Sequence, residues 1–421
     1  MNARSLSTGR TALYLCGLAF VLRLAAIALS PGHLWAYTVY YDMAKNLVAG
    51  GGYCLGPGGR LCAYFPPVYP TLTAAAILTR HPGPAIACIG SLLGAGTVWM
   101  TWLTGTRLFG PLTGLIAAVW AALYPYFIWH DGVLQETSTL AFVVAVSIYL
   151  LVRAQDSASR WLWLAAGAAL SLTVLTKANL LLFIPAALLW AALFSAGSRP
   201  RRAQRLLWMS LGVALLLGPW VIRTWRITGT PVLYSNGGFA LWTSNHRLTF
   251  DYFPERSIDD AHTPEWNDLT PAEQRDFNSL PDDPQDILHA RWYWNKGMSF
   301  ILAHPALTLA RGLRKIRIAF SPRFSPAQGA AFEAVYFLSY FPLLVLAIAG
   351  VWRTRARWRE LGYIFVLIAT FALGSAVFWA HTSHRMYVEP YLMIFAAAAI
   401  TARGKDTSQP AGAAAGSDRE N

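Results

Sequence analysis

Residues 11–29 read TALYLCGLAFVLRLAAIAL, a run in which Arg23 is the only charged side chain. A segment of about 20 mostly apolar residues is long enough to cross the hydrocarbon core of a bilayer. The run is too long for a cleavable signal peptide and lacks a small-residue cleavage site, so we expect it to remain as a span. Similar runs recur along the chain, and this pattern indicates a bundle of transmembrane helices.

The composition of the whole chain agrees with a membrane protein. The 421 residues are 55% hydrophobic and only 13% charged, whereas soluble domains carry roughly 25% charged residues. A soluble surface could not cover so much apolar area, which excludes a soluble enzyme, a disordered protein and a coiled coil. The net charge of +13 does not indicate nucleic-acid binding, because no separate basic domain accompanies it.

Ten apolar segments are predicted to span the membrane, so the expected fold class is an all-α polytopic membrane protein. The predicted spans are Thr11–Leu29, Pro84–Leu103, Pro111–Trp129, Leu134–Val152, Trp161–Thr176, Leu180–Phe194, Leu206–Ile222, Phe332–Val351, Leu361–Ala380 and Met386–Ala402. Sixteen of the 34 basic residues lie in the tails and short loops on the side of the N-terminus. The positive-inside rule makes that side cytoplasmic.

This topology divides the chain into four parts. Residues 1–223 form an N-terminal transmembrane module that includes the first outer loop, residues 31–83. Residues 224–331 form a small extracytoplasmic domain of mixed secondary structure that ends in two amphipathic helices. Residues 332–402 form the C-terminal transmembrane helices, and residues 403–421 form a disordered cytoplasmic tail.

Charged side chains collect near the outer ends of the predicted spans. Either they surround one polar cavity that opens outward, or they lie where charges cost least in a membrane protein. The set comprises Asp42, Asp131, Glu136, Lys177, Arg223, His384, Arg385 and Glu389.

Two of these carboxylates allow more than one interpretation. Asp42 is the only acidic residue of the first outer loop; it is either a helix N-cap or a base whose basicity the neighbouring tyrosines raise. Glu136 either binds a cation, a sugar hydroxyl or a basic partner, or forms a structural pair with Lys177 or an arginine. Arg23 lies inside the first span, within snorkelling reach of the outer interface, and is interpreted as a structural residue.

Two further pairs of residues are candidate sites. His381 and His384 have the spacing of metal ligands but lack a third ligand, so phosphate capture by His384 with Arg385 is the better interpretation. No cofactor is expected, and a divalent metal has no support in the sequence. Cys54 and Cys62 flank a Gly-rich turn on the oxidising side and are predicted to form a disulfide, the alternative being two free thiols.

A set of short motifs follows in a fixed order over most of residues 11–402. They are Tyr41-Asp42 with Ala44, Asn46-Leu47, Gly50 and Gly52-Tyr53; Pro66-Pro67-Val68-Tyr69-Pro70; Glu136 after Gly132-Val133-Leu134; Leu175-Thr176-Lys177; Pro219-Trp220-Val221-Ile222-Arg223, with Asn236-Gly237-Gly238, Leu241 and Asn245; His304-Pro305 through Lys315; and His384-Arg385 through Pro390. The ordered set resembles bacterial membrane glycosyltransferases of family 39, the dolichyl-phosphate-mannose–protein mannosyltransferase-like group with the C-type glycosyltransferase fold.

The resemblance implies an inverting transferase that moves a monosaccharide, hexose or pentose, from a polyprenyl-phosphate donor to an acceptor hydroxyl. It implies that the protein lies in a bacterial inner membrane with its active site on the outer side. The implied partners are membrane lipid, the lipid-linked donor and a glycan, lipid or protein acceptor. Residues 1–223 become the catalytic module, with Asp42 as general base. The implied donor-phosphate ligands are Lys177, Arg223, Arg385 and His384, and the implied contacts to substrate or a cation are Glu136, Asp131, Lys45 and Tyr41.

Two other functions compete with this one. A transporter or flippase of a lipid-linked sugar places its polar site at the midplane of the membrane, whereas the charges here gather at one face. An outer-face glycan polymerase or ligase would transfer a longer chain. Lys177-Ala178 stands where the family has Arg-Pro, and Thr224 where it has Asn, so the sugar and the acceptor stay open.

Overall fold

The computed structural model describes residues 3–251, 269–325, 327–379 and 381–401. The predicted tail, residues 403–421, lies outside these ranges, and so do residues 252–268 of the acidic stretch between residues 251 and 286. Eighteen α-helices are present in the described part. They are α1 Ala3–Leu29, α2 Pro31–Leu34, α3 Val39–Val48, α4 Val68–Ile77, α5 Pro82–Phe109, α6 Pro111–Leu123, α7 Pro125–His130, α8 Thr137–Gln155, α9 Arg160–Thr176, α10 Phe183–Phe194, α11 Arg199–Thr228, α12 Gly237–Ser244, α13 Pro271–Asn278, α14 Ile287–Ala303, α15 Pro305–Ala319, α16 Ala330–Thr354, α17 Gly362–Val377 and α18 Glu389–Thr401.

Each of the ten predicted spans falls on helical structure. Five helical segments are long and apolar enough to cross a membrane, which supports a multi-pass membrane protein. These are Thr8–Leu29, Pro82–Phe109, Thr137–Gln155, Arg199–Thr228 and Ala330–Arg357. The helices of the remaining predicted spans are apolar but shorter, between 10 and 17 residues.

The third predicted span is not one continuous helix. Helix α6 ends at Leu123, Tyr124 is extended with ψ of 114°, and α7 begins at Pro125. A proline disfavours helical backbone at the residue before it and cannot donate its missing N–H, so the chain breaks at this point. The break separates α7 from α6, and Asp131 and Glu136 follow α7 in the chain.

Small residues allow the helices of the bundle to approach closely. Helices α9 and α11 pack along much of their length, and a Cβ on Gly167 would collide with the main-chain carbonyl of Met209. Gly212, on the facing helix, meets the carbonyl of Leu164 in the same way. Such small-residue contacts are typical of helix pairs in membranes.

The two long loops are built from short helices. The first loop contains α3 and α4, and residues 224–331 contain α12 to α15, with the predicted break between amphipathic helices at Pro305. No strand is present in the described part of residues 224–331. The expected mixed secondary structure of this segment is therefore not found there.

Candidate functional site

Helix α3 presents Asp42 on its open face. Tyr40, Met43 and Ala44 are buried on the opposite face, and this spacing of apolar residues is what makes the segment an amphipathic helix. About half of the Asp42 side chain is exposed, and its Oδ1 lies 2.9 Å from Lys45 Nζ. The carboxylate is therefore available to an incoming molecule while its helix is anchored by the buried side chains.

The N-cap interpretation of Asp42 is wrong. The N-cap of α3 is Thr38, and Asp42 lies within the first turn of the helix. A side chain in the first turn still benefits from the positive end of the helix dipole, but it does not cap the helix. The residue is thus not needed to start α3.

Lys45 and Tyr41 lie beside Asp42 on the same helix. Lys45 is as exposed as Asp42, and its ammonium lies 5.3 Å from the centre of the Tyr41 ring. The hydrogen bond to the Asp42 carboxylate raises the pKa of Lys45. Together the three side chains form an exposed patch with one acceptor, one cation and one aromatic ring.

A second set of polar side chains lies against the buried face of α3. Lys177 Nζ is 2.6 Å from Glu136 Oε1, and Glu136 is buried. The hydroxyl of buried Tyr40 also interacts with the Glu136 carboxylate. Of the interpretations of Glu136, the structure contains the pair with Lys177, and this pair contacts the buried face of the helix that carries Asp42.

Asp131 is paired with Arg23 rather than open to a ligand. Arg23 Nε lies 2.6 Å from Asp131 Oδ2, both side chains are fully buried, and Arg23 Nη1 donates to the carbonyl of Ala19. Gly94 provides the space for this ion pair, because a Cβ at that position would collide with both side chains. Arg23 is thus structural, as expected, but it does not snorkel to the interface, and this geometry does not favour Asp131 as a substrate contact.

The disulfide loop connects α3 to the second outer segment. Cys54 and Cys62 are joined by a disulfide, and Asn46 of α3 donates to the carbonyl of Cys54 at 2.9 Å. Arg60 forms a bidentate ion pair with Asp282 at 2.6 and 3.0 Å. This loop therefore couples the helix of Asp42 to residues more than two hundred positions away.

Arg223, on α11, contacts the same disulfide loop. Its guanidinium donates to the carbonyls of Cys62 at 3.0 Å and Tyr53 at 3.3 Å, and it stacks on the rings of Tyr53 and Trp220. These contacts hold Arg223 in place, and the residue remains partly exposed. An arginine fixed in this way has further N–H donors for an anion.

Arg385 does not face an open surface. It is buried, its Nε lies 2.9 Å from Glu389 Oε1, and it donates to the carbonyl of Ala319 at 2.7 Å and to the hydroxyl of Tyr336. Its guanidinium also lies 3.7 Å from the centre of the Tyr340 ring. The guanidinium of Arg385 is thus engaged by groups on neighbouring helices and holds those helices together. The geometry therefore does not support the predicted phosphate contact of Arg385.

His384 is half-buried and its Nδ1 lies 3.3 Å from the carbonyl of Trp379. Its ring contacts that of His381 edge to face. No group of three His, Cys, Asp or Glu side chains arranged to hold a metal is present among the described residues.

The sequence does not indicate the partners of several side chains, although Asn46 and Lys315 stand in the ordered motifs. Tyr40 and Asn46 have the residue types of an ordinary amphipathic helix, and their partners lie in distant segments. Lys315 is also buried, and its Nζ donates to the carbonyls of Ser244 and Val377 and to Asn245 Oδ1 at 3.1–3.2 Å. A lysine at the C-terminal ends of two helices, here α12 and α17, is favoured by both helix dipoles.

The helical fold of the described residues and part of the sequence are similar to known membrane glycosyltransferases. Residues 65–222 match the family model described as dolichyl-phosphate-mannose-protein mannosyltransferase. The resemblance found in the sequence is confirmed over this part of the chain, and at this coarse level it supports glycosyl transfer. No curated protein sequence matches the chain.

Solved structures extend the similarity of fold to nearly the whole chain. The archaeal oligosaccharyltransferase AglB from Archaeoglobus fulgidus, bound to an inhibitory peptide and a dolichol-phosphate, aligns with 93% of this chain and 50% of its own at 13% identity and a TM-score of 0.54. The same oligosaccharyltransferase tethered to an acceptor peptide aligns with 93% and 49% at 14% identity and a TM-score of 0.52.

Another solved structure aligns with most of the chain at a lower TM-score. ArnT from Cupriavidus metallidurans bound to undecaprenyl phosphate aligns with 93% of this chain and 78% of its own at 14% identity and a TM-score of 0.44. The chain spans about half the length of the oligosaccharyltransferase structures.

Proposed function

We propose that the protein is an inverting glycosyltransferase that moves a monosaccharide from a polyprenyl-phosphate donor to an acceptor hydroxyl. The observation that carries the proposal is the half-exposed Asp42 carboxylate on α3, a helix that ends shortly before the region matching the mannosyltransferase family. The fold shared with an oligosaccharyltransferase that binds dolichol-phosphate supports a lipid-linked donor.

The proposed reaction needs one base and one site of positive charge. Asp42 takes the proton of the acceptor hydroxyl, whose oxygen attacks the anomeric carbon of the donor sugar. The bond between that carbon and the phosphate oxygen breaks, and polyprenyl phosphate leaves with the bonding electrons. Because the leaving group is a phosphate, positioning and charge stabilisation supply most of the rate enhancement.

Lys177 and Arg223 are the proposed cations for the donor phosphate. Lys177 keeps about a fifth of its side chain exposed beside Glu136, and Arg223 is fixed by the disulfide loop. Lys45, next to Asp42, is the nearest cation to the base in the described structure and is proposed to orient the acceptor or the donor.

The side of the membrane is also part of the proposal. With ten spans and the N-terminus inside, the basic loops lie in the cytoplasm, and the two long loops with Asp42 lie outside. Nucleotide sugars are absent there, so a lipid-linked sugar is the donor that fits.

The experiment is a turnover assay with purified protein and a radiolabelled polyprenyl-phosphate monosaccharide in proteoliposomes. Transfer of the label to an added cell-envelope extract, with release of polyprenyl phosphate, is expected. Movement of intact donor between leaflets without release would instead identify a flippase. Transfer only from a lipid-linked oligosaccharide would identify a polymerase or ligase.

A further inference from the structure

An exposed tryptophan lies in contact with the group of side chains around Asp42. Trp35, the residue after α2, has 37% of its surface exposed. The centre of its ring lies 5.0 Å from that of Tyr41 on α3, with the two ring planes at 85°. Lys45 Nζ lies 5.3 Å from the centre of the Tyr41 ring and 2.9 Å from Asp42 Oδ1. Direct contacts through Tyr41 and Lys45 therefore connect Trp35 to the proposed base.

The segment that carries Trp35 is held in place by its neighbours in the chain. Leu34 is buried, and its carbonyl accepts a hydrogen bond from the N–H of Leu134 at 3.0 Å. The ring centre of His33 lies 4.4 Å from that of Trp129, and its Nε2 lies 3.2 Å from the Trp129 carbonyl oxygen. A side chain on a fixed segment loses less conformational entropy when a ligand binds it. Trp35 is thus a preorganised contact surface.

The ion pair beside the two rings makes this surface unsuited to lipid chains. The side chains of Asp42 and Lys45 are 49% and 54% exposed, and a charged side chain in the hydrocarbon core of a bilayer is costly. Tryptophan and tyrosine are also common where a membrane protein meets the lipid headgroups. Here, however, the Tyr41 ring contacts an exposed ion pair, which favours water or a polar ligand at this surface.

An aromatic ring beside a carboxylate and an ammonium matches the chemistry of a sugar ring. One face of a pyranose carries C–H groups, which are attracted to the negative face of an aromatic ring. The hydroxyls at the rim of the pyranose donate to a carboxylate and accept from an ammonium. A hydrocarbon chain lacks these hydroxyls, and the side chain of a serine or threonine is too small to cover an indole ring.

The position of the two rings on α3 favours the acceptor over the donor. The pair of Glu136 and Lys177 interacts with Tyr40 on the buried face of α3, and Lys177 is one of the cations that we assign to the donor phosphate. Trp35 instead contacts Tyr41, which lies beside the open face. The rings and Lys177 are thus on different sides of the helix. A general base contacts the acceptor hydroxyl, and the rings lie on the side of the base.

We propose that Trp35 and Tyr41 form the acceptor subsite and that the acceptor is a sugar ring, whose apolar face stacks on Trp35 while one of its hydroxyls reaches Asp42. The inference rests on the proposed function and adds the class of acceptor to it. Asp42 takes the proton of that hydroxyl, the hydroxyl oxygen bonds to the anomeric carbon of the donor, and polyprenyl phosphate leaves with the electrons of the broken bond. The product therefore contains a bond between two sugars, whether the acceptor sugar belongs to a free glycan, a glycolipid or a glycoprotein.

The first test is the linkage that the wild-type protein forms. The turnover assay with a radiolabelled polyprenyl-phosphate monosaccharide and a cell-envelope extract is repeated, and the labelled product is analysed by permethylation and mass spectrometry. We expect the transferred sugar to be linked to a hydroxyl of another sugar. A bond to a serine or threonine, or to the alcohol of a lipid that carries no sugar, would overturn the inference and leave the proposed function supported.

The second test uses variants of Trp35. Trp35→Leu removes the ring and should raise the extract concentration for half-maximal transfer roughly 3–10-fold, as expected for one aromatic contact, with the donor KM unchanged. Trp35→Phe retains a flat ring and should stay within about twofold of wild type. Trp225→Leu is the matched control, because Trp225 is 55% exposed and follows the outer end of the seventh predicted span. This control should leave both concentrations unchanged.

The outcomes separate this inference from the proposed function. An increase in the donor KM alone in Trp35→Leu would assign Trp35 to the donor, and equal effects of Trp35→Leu and Trp225→Leu would identify Trp35 as a residue of the membrane interface. Either result, or unchanged kinetics in Trp35→Leu, would overturn the acceptor subsite, while transfer by the wild type still supports the proposed function. Absence of transfer from any polyprenyl-phosphate monosaccharide would overturn the proposed function and this inference together.

Discussion

Lys177 Nζ lies 2.6 Å from Glu136 Oε1, and only 3% of the Glu136 side chain is exposed. This pair connects the turn after α9 to the N-cap residue of α8. It lies against Tyr40 on the helix of Asp42. Removal of one member of a buried ion pair leaves the other charge uncompensated, which typically costs about 3–5 kcal/mol. A Lys177 variant therefore loses activity through a less stable fold, through weaker donor binding, or through both, and these effects must be separated.

We predict that Lys177→Gln lowers both the melting temperature and the affinity for the donor. The double variant Glu136→Gln/Lys177→Gln removes both charges, so it should regain most of the thermal stability but not the donor affinity. Melting curves and donor binding are measured for the wild type, both single variants and the double variant. Recovery of donor affinity in the double variant would show that Lys177 supports the fold only.

Lys315 gives the protein a pH-dependent stability. Burial, and then the positive charge of Arg311, lowers the pKa of Lys315 to about 7, whereas lysine in an unfolded chain titrates near 10.4. Between these values the unfolded chain binds more protons than the folded one, so the free energy of unfolding should increase as the pH rises from about 7 to about 10. Below pH 7 both states bind the proton and this contribution no longer changes.

The measurement is the melting temperature at pH 6.5, 8 and 9.5 without reductant. Lys315→Met should flatten the rise that the wild type shows, because it removes the titrating group. Lys296→Met, which changes a partly exposed lysine of α14, serves as the control and should retain the rise. An unchanged pH profile in Lys315→Met would contradict the assignment.

The membrane topology is testable with reporter fusions. A reporter after Arg205, at the start of α11, is expected in the cytoplasm, and one after Asp276 in α13 is expected outside. The reason is the accumulation of arginines on one side of the predicted spans. Both reporters on the same side would refute the ten-span arrangement.

The helices were predictable from sequence because each apolar run is a local property of about 20 consecutive residues. The sequence also distinguishes Asp42 as the single carboxylate of its loop, and its role as the base stays a prediction. The pair of Glu136 and Lys177 was among the interpretations of the sequence. The pair of Arg23 and Asp131 was not predictable, because the two residues are 108 positions apart. The guanidinium of Arg385 contacts atoms of α15 and α16, and no local sequence pattern predicts these contacts.

The disulfide loop should contribute to stability and to the position of α3. A disulfide typically contributes about 2–4 kcal/mol, and the Cys54–Cys62 loop also accepts the hydrogen bond of Asn46. We predict that Cys54→Ser/Cys62→Ser lowers the melting temperature and reduces turnover more than donor binding. Cys88→Ala, which removes a free thiol, is the control.

Mass spectrometry after alkylation without reduction checks the bond itself. Only Cys16 and Cys88 should be modified in the wild-type protein. Alkylation of Cys54 and Cys62 under these conditions would exclude the disulfide.

Asp42→Asn is the central prediction for the proposed reaction. Asparagine retains the size of aspartate but cannot accept a proton from the acceptor hydroxyl, and loss of a positioned base typically lowers the rate roughly 10²–10⁴-fold. The side chain is half exposed and does not cap α3, so the variant should fold like the wild type. Donor binding should also persist, since the proposed phosphate contacts lie on Lys177 and Arg223.

Asp156→Asn is the matched control, because Asp156 is another exposed aspartate in an ion pair, 2.9 Å from Arg107. It lies after α8, on the predicted cytoplasmic side, and its replacement should leave transfer unchanged. Turnover, donor binding and melting temperature are measured for both variants with the same lipid-linked donor. Because Asp42 is the only carboxylate of the first outer loop, no neighbour in that loop can replace it as the base. Transfer by Asp42→Asn within a few-fold of wild type would therefore rule out this residue as the base.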